Sequence, residues 1–189
     1  SDKIKEMCGS GNACAALLHG VTGSGKTNVI MDAIEYCLAN GRSVIMLVPE
    51  IALTPQTVGS FMRRFGENIA VIHSALSQGE RYDAWRRIRA GEVNLVIGTR
   101  SAIFAPLKNL GMIVIDEEQE HTYKSDMSPR YHARDIARFR CAKNNAVMLL
   151  CSATPSIESY YKAKKGVYTL TELKKRYSGK PLPETIIYD

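Results

Sequence analysis

The feature that most constrains this chain is an alternation. Between residues 13 and 165, short unbroken apolar runs take turns with amphipathic stretches of helical spacing. Runs so uniformly rich in Val, Ile, Leu and Met leave no solvent face, which suits strands covered on both sides. The pattern therefore predicts an α/β fold with a mostly parallel central sheet. The expected strands are Ala15–His19, Ser43–Val48, Ile69–Ile72, Leu95–Gly98, Met112–Ile115 and Val147–Leu150. Between them, Val29, Ile30, Ala33, Ile34, Cys37 and Leu38 share one helical face that Asn40-Gly41 closes. Thr54-Pro55 and Thr154-Pro155 each read as an N-cap followed by proline in the first turn. Ser77 with Glu80 reads as a capping box, opening a helix that stops before Gly91.

Composition narrows the class without identifying the protein. A chain of 189 residues can bury roughly 70% of the surface its unfolded form exposes, enough for a core with no staple. Five cysteines with no C-x-x-C pair are expected to be reduced and mostly packed in the core. The net charge of +6 favours a polyanionic partner. Apolar runs fall far short of the roughly 20 residues that span a bilayer, and no signal-peptide pattern opens the sequence. The expectation is a cytoplasmic protein with no membrane contact.

Chemistry enters at Gly20-Val21-Thr22-Gly23-Ser24-Gly25-Lys26-Thr27, a full G-x-x-x-x-G-K-T match between an expected strand and an expected helix. Such glycines let the backbone wrap a phosphate so that N–H groups and the helix N-terminus face its oxygens. Lys26 then reaches the β- and γ-phosphates, and the Thr27 hydroxyl suits Mg²⁺. A phosphate cradle alone hydrolyses nothing. The run Met112–Ile115 ends in Asp116-Glu117-Glu118, and segments leaving the carboxyl ends of parallel strands share one crevice. Asp116 suits Mg²⁺ held through water, and Glu117 suits orienting and deprotonating an attacking water. The expected catalytic residues are thus Lys26, Asp116 and Glu117.

Further segments follow in order: Val48-Pro49-Glu50-Ile51 with Leu53-Thr54-Pro55-Gln56, Gly98-Thr99-Arg100-Ser101-Ala102, Asp116–Gln119, Tyr123-Lys124 with Pro129–Asp135, and Ser152-Ala153-Thr154. With the P-loop they resemble motif Ia, a further DNA-contact motif, and motifs II and III of the superfamily 2 helicases, over about residues 17 to 160. Within that superfamily they are most similar to the primosomal replication-restart helicases, the PriA family, whose distinguishing loop lies between motifs II and III.

The resemblance implies a three-layer α/β/α RecA-like P-loop NTPase domain. Residues 1–165 would form the first RecA-like, ATP-binding lobe, and residues 166–189 a linker toward an absent second lobe that carries an arginine finger. The implied cofactors are ATP and Mg²⁺, with zinc confined to a cysteine-rich region downstream. The implied activity is ATP hydrolysis coupled to translocation on DNA at stalled replication forks. Single-stranded and forked DNA would be bound without sequence preference, alongside primosome and single-strand-binding proteins. Pro49, Thr54, Thr99, Arg100, Ser101, Tyr123, Lys124, Arg130 and Tyr131 become expected DNA contacts, and Gln119, Ser152 and Thr154 expected coupling residues.

Two departures stand out: Gln119 replaces the usual His, and the first glutamine in the chain is Gln56, so the family's upstream adenine-reading glutamine has no counterpart. Other readings stay open from the residues alone. They are another superfamily 2 translocase, a P-loop kinase or metabolic ATPase, for which no lid is recognisable between Gly20 and Gly111, and a nucleotide-switched interaction module. Arg100 could equally be a surface arginine paired with a carboxylate, and Tyr123–Asp135 a surface loop before a helix starting near Ala133.

Overall fold

A computed structural model describes residues 2–175. These residues form seven strands and six α-helices: α1 (Asp2–Gly9), β1 (Cys14–Gly20), α2 (Lys26–Ala39), β2 (Ser43–Leu47), α3 (Pro55–Phe65), β3 (Ile69–Ile72), α4 (Gln78–Ala90), β4 (Leu95–Gly98), β5 (Leu110–Ile115), α5 (Ala133–Asn144), β6 (Val147–Ser152), α6 (Ile157–Lys164) and β7 (Thr169–Leu173). All pair in parallel in one sheet of order β3-β4-β2-β5-β6-β1-β7.

The continuous apolar runs have the predicted physical origin. Strands β2, β4, β5 and β6 are buried at every position, because helices cover both faces of the sheet. Side chains alternating along each strand feed two separate cores. Leu17, Ile45, Val96, Ile113 and Leu150 pack with Ile88 of α4, Ala137 and Cys141 of α5, and Ala163 of α6. Ala16, Leu18, Met46, Val114 and Leu149 pack on the other face with Ile4 of α1, Ile34 of α2 and Phe61 of α3. The result is the three-layer α/β/α arrangement expected.

The caps follow local chemistry. Thr54 Oγ1 accepts from the Thr57 N–H at 3.2 Å, and Pro55 sits in the first turn of α3. Ser77 and Glu80 close a reciprocal capping box on α4, and Gly91 ends that helix at φ 86°. The expected cap at Thr154-Pro155 is corrected. Ser156 is the N-cap of α6, accepting from the Ser159 N–H, while the Thr154 N–H donates to the Ser152 hydroxyl at 2.8 Å. That bond holds Thr154 in the strand-end turn, two residues short of the helix.

Two parts of the chain depart from the predicted pattern. Helix α1, which the periodicity does not predict, lays Ile4 into the second core. Beyond residue 166, the segment expected as a linker contributes β7, which pairs with β1 from Ala16–Thr169 to Gly20–Leu173. Residues 176–189, including the Gly179–Pro183 stretch, lie outside the described residues. All five cysteines are free thiols. Among the described residues, no helix is long and apolar enough to cross a membrane.

Candidate functional site

Because the sheet is entirely parallel, every strand ends on the same edge. The order β5-β6-β1 brings the segments after those three strands side by side: Asp116–Gln119, Ala153–Ser156 and the P-loop. Segments leaving β2, β3 and β4, which include Pro49–Thr54, His73 and Thr99–Ser101, occupy the other half of the same edge.

The P-loop turns through Gly23 at φ 77° and Gly25 at φ 87°, a left-handed conformation that a β-carbon would strain. Gly25 is also the N-cap of α2 and offers no side-chain cap. The first N–H groups of α2 therefore lack intrahelical partners at an end that carries positive dipole. Gly20 is required by space: a Cβ there would lie 2.6 Å from Ser24 Oγ and 3.0 Å from the Leu173 Cβ. Ser24 Oγ is buried with no hydrogen-bond partner among the described residues, and Lys26 Nζ donates to the Gly20 carbonyl at 2.8 Å. An uncapped helix start, an orphaned hydroxyl and an ammonium with only a carbonyl to bind form a donor set that fits phosphate oxygens.

Asp116 and Glu117 follow β5. The Asp116 N–H donates to Leu47 O at 3.0 Å, and Asp116 Oδ1 accepts from the Glu117 N–H at 3.1 Å. Thr27 and Asp116 line one cavity of about 270 Å³ together with Met46, Gln56 and Ser60. Burial, and then the charge of Glu117, push the Asp116 carboxyl up to about 6, against the opposing pull of the Glu117 N–H and Lys26. A divalent cation beside Thr27 and Asp116 would relieve that penalty, so the pair fits Mg²⁺. Among the described residues, no group of three His, Cys, Asp or Glu forms a site made wholly from protein ligands.

Among the described residues, Glu117 is one of three non-glycine residues with positive φ, at 45°. Gln119 Nε2 donates to Glu117 Oε2 at 3.0 Å, Ser152 Oγ donates to Gln119 Oε1 at 2.6 Å, and the Thr154 N–H donates to Ser152 Oγ. Gln119, Ser152 and Thr154 thus form one unbroken hydrogen-bonded line from Glu117 to the end of β6. The glutamine amide performs this bridge without a histidine, since it donates at one end and accepts at the other.

The expected DNA contacts are placed unevenly. Thr54, Ser101, Lys124 and Arg130 are exposed. Thr99 is nearly buried but lines a groove of about 510 Å³ with Leu53, Pro55, Val58 and His73. Pro49 is buried, its carbonyl accepting from the Ala52 and Leu53 N–H groups.

Two expectations need correction. Tyr123 is 1% exposed, and its hydroxyl donates to Asp116 O at 2.6 Å, so its ring has no face for a base. Arg100 is not a free cation, and among the described residues it pairs with no carboxylate. It donates to the carbonyls of Thr122 and Lys124, and its guanidinium lies 5.8 Å from the centre of the Tyr131 ring. Phe104 meets the same ring edge-on at 5.0 Å. The loop after motif II is therefore strapped to the turn after β4, and its exposed tip is residues 126–130.

Sequence reasoning passed over Glu118 and gave Arg134 no site role. Yet Glu118 is a fully buried carboxylate paired with Arg134. The available signal was a third consecutive acid where phosphate chemistry needs two.

The DEAD/DEAH box helicase family model matches residues 4–163. The chain belongs to this family. It is 52% identical over 188 residues to replication restart protein PriA of Bacillus subtilis (strain 168), covering 100% of this chain and 23% of that protein. It is 48% identical over 186 residues to the PriA of Treponema pallidum (strain Nichols), covering 98% and 28%. The expected likeness to the primosomal restart helicases is borne out, and the chain spans about a quarter of the length of these relatives. Among solved structures, RecG bound to a three-way DNA junction superposes with a TM-score of 0.66 at 28% identity, over 92% of this chain and 22% of that one. The RecA-like fold expected is likewise borne out.

Proposed function

We propose that this chain is the ATP-binding lobe of an ATP-dependent DNA helicase of the replication-restart type, whose second lobe and arginine finger belong to the rest of a protein like its relatives. The observation that carries the reading is the convergence of the P-loop, the Asp116-Glu117 pair and the Glu117–Gln119–Ser152 line on one edge of the sheet. Lys26 would exchange the Gly20 carbonyl for phosphate oxygens, with the Ser24 hydroxyl and the α2 N–H groups beside it. Thr27 and Asp116 would hold Mg²⁺, whose chemistry there is to neutralise charge on the phosphates. Glu117, fixed by Gln119, would take the proton of the attacking water.

A single DNA strand would lie along the other half of the edge, contacting phosphates through Thr54, Thr99 and Ser101 and through Lys124 and Arg130 of the loop. Backbone contacts of this kind are independent of sequence. Single-stranded and forked DNA, primosome proteins and single-strand-binding proteins are the proposed partners. A kinase reading is less well supported, since the crevice beside the P-loop is shared with helicase motifs rather than closed by a lid.

The test is ATP hydrolysis by the full-length protein, with and without single-stranded DNA. Wild type is expected to be stimulated by DNA. Lys26→Ala is expected to fall to background while keeping its thermal midpoint. Wild-type turnover by that variant refutes the P-loop assignment, and absence of DNA stimulation in wild type refutes the helicase reading.

A further inference from the structure

Motif II supplies three consecutive carboxylates, and the proposed chemistry uses two. The third, Glu118, has a side chain that is 0% exposed yet surrounded by donors. The Ser156 N–H donates to Oε1 at 2.6 Å. The Ser156 and Ser159 hydroxyls donate to Oε2 at 3.2 and 3.0 Å, and Arg134 Nη1 lies 3.2 Å from the same oxygen. Arg134 also reaches both serine hydroxyls at 3.1 Å and the Glu158 carboxylate at 2.6 Å. One pair, with Glu118 fully buried and Arg134 partly so, thus joins motif II, the N-terminus of α6 and the first turn of α5.

A buried ion pair is a poor source of stability compared with apolar residues of the same volume, so a fully satisfied one points to fixed geometry as its use. The adjacent residue needs it. Glu117 holds a left-handed backbone, which persists at a non-glycine residue only where its flanks overdetermine it. On one flank the Asp116 N–H is held by Leu47 O. On the other the Glu118 N–H is held by Cys151 O, and the Glu118 carboxylate is locked onto α6. Arg134 follows directly on the loop: its N–H donates to His132 Nδ1, and His132 bridges back to Lys124.

We propose that Glu118 and Arg134 are positioning residues that hold Glu117 in its left-handed conformation and make that hold depend on the loop 124–132. The inference rests on the helicase reading above and assigns the residues through which the loop acts. The experiment uses the full-length protein. ATPase kinetics are measured with and without an oligothymidine single strand for Glu118→Gln, Arg134→Lys and Arg134→Ala, with thermal midpoints as the folding control. DNA-stimulated kcat is expected to fall at least about tenfold in Glu118→Gln while KM for ATP stays within about twofold. The ratio of DNA-stimulated to DNA-free turnover is expected to fall in all three. Arg134→Lys, which keeps the charge and loses the planar fork, should retain more of the ratio than Arg134→Ala.

Folded variants with the wild-type ratio overturn the inference. A lower kcat at an unchanged ratio overturns it too, because it marks a purely structural pair. If Glu118→Gln does not fold, Arg134→Lys decides alone. Loss of the inference leaves DNA stimulation of wild type and its dependence on Lys26 intact, whereas failure of the helicase reading removes the stimulation itself.

Discussion

Removing the charge of Asp116 should stabilise the protein when no nucleotide or metal is bound. Its carboxyl is pushed up to about 6 from an ordinary 3.8 because burial and Glu117 penalise the ionised form. At about 1.4 kcal/mol per pKa unit, that rise corresponds to about 3 kcal/mol. The carboxylate is only partly buried by accessible surface, and screening by solvent reduces the figure to about 1–2 kcal/mol. The sign follows from linkage. A group whose pKa is raised by folding contributes its stability below its unfolded value, near pH 4, and loses it as pH rises through about 6.

Asp116→Asn keeps the shape and the Oδ1 acceptor for the Glu117 N–H but carries no charge to bury. The variant should therefore unfold roughly 2–8 °C above wild type at pH 7.5 in EDTA, for a domain of this size. The gap should narrow toward pH 5, where wild-type Asp116 is increasingly protonated. Thermal unfolding followed by circular dichroism at both pH values measures it. A variant no more stable than wild type at pH 7.5, or a gap that does not change with pH, refutes the reasoning. The same variant should lose the stabilisation that Mg²⁺ and nucleotide give to wild type, a trade of function against stability.

Two further predictions concern the strap on the loop. Tyr123→Phe deletes the hydroxyl that donates to Asp116 O and should cost about 1 kcal/mol, read as a lower denaturant midpoint at unchanged slope; an unchanged midpoint removes the bond's role. Arg100→Ala releases the carbonyls of Thr122 and Lys124, so amide hydrogen exchange across residues 121–131 should quicken by at least about fivefold while β4 stays protected. Unchanged exchange there would return Arg100 to the simpler part of a DNA contact.

Much of this molecule is legible in one dimension because its signals are local. A strand covered on both faces must be apolar throughout, a helix must start and stop, and a phosphate loop needs glycines where the backbone turns left-handed, as at Gly23 and Gly25. Those requirements act within a few residues, so strands β1 to β6, the caps of α3 and α4 and the P-loop can be read directly. The family motifs add the identities of Asp116, Glu117 and Gln119 in the same linear way.

Only the tertiary structure decided which side chains are already engaged. Tyr123 and Arg100 carry the composition of a nucleic-acid contact, yet one is buried against Asp116 O and the other strapped to loop carbonyls. Their partners lie across the sheet edge or in a neighbouring turn, where no periodicity reports them. Strand β7 was hidden because it closes one edge of the sheet and carries none of the fully buried pattern. Glu118 was hidden for the opposite reason: its burial is complete, and a carboxylate is tolerated there only because four donors from α5 and α6 surround it. Covalent sequence specifies the groups, while desolvation and long-range pairing select the ones left free to act.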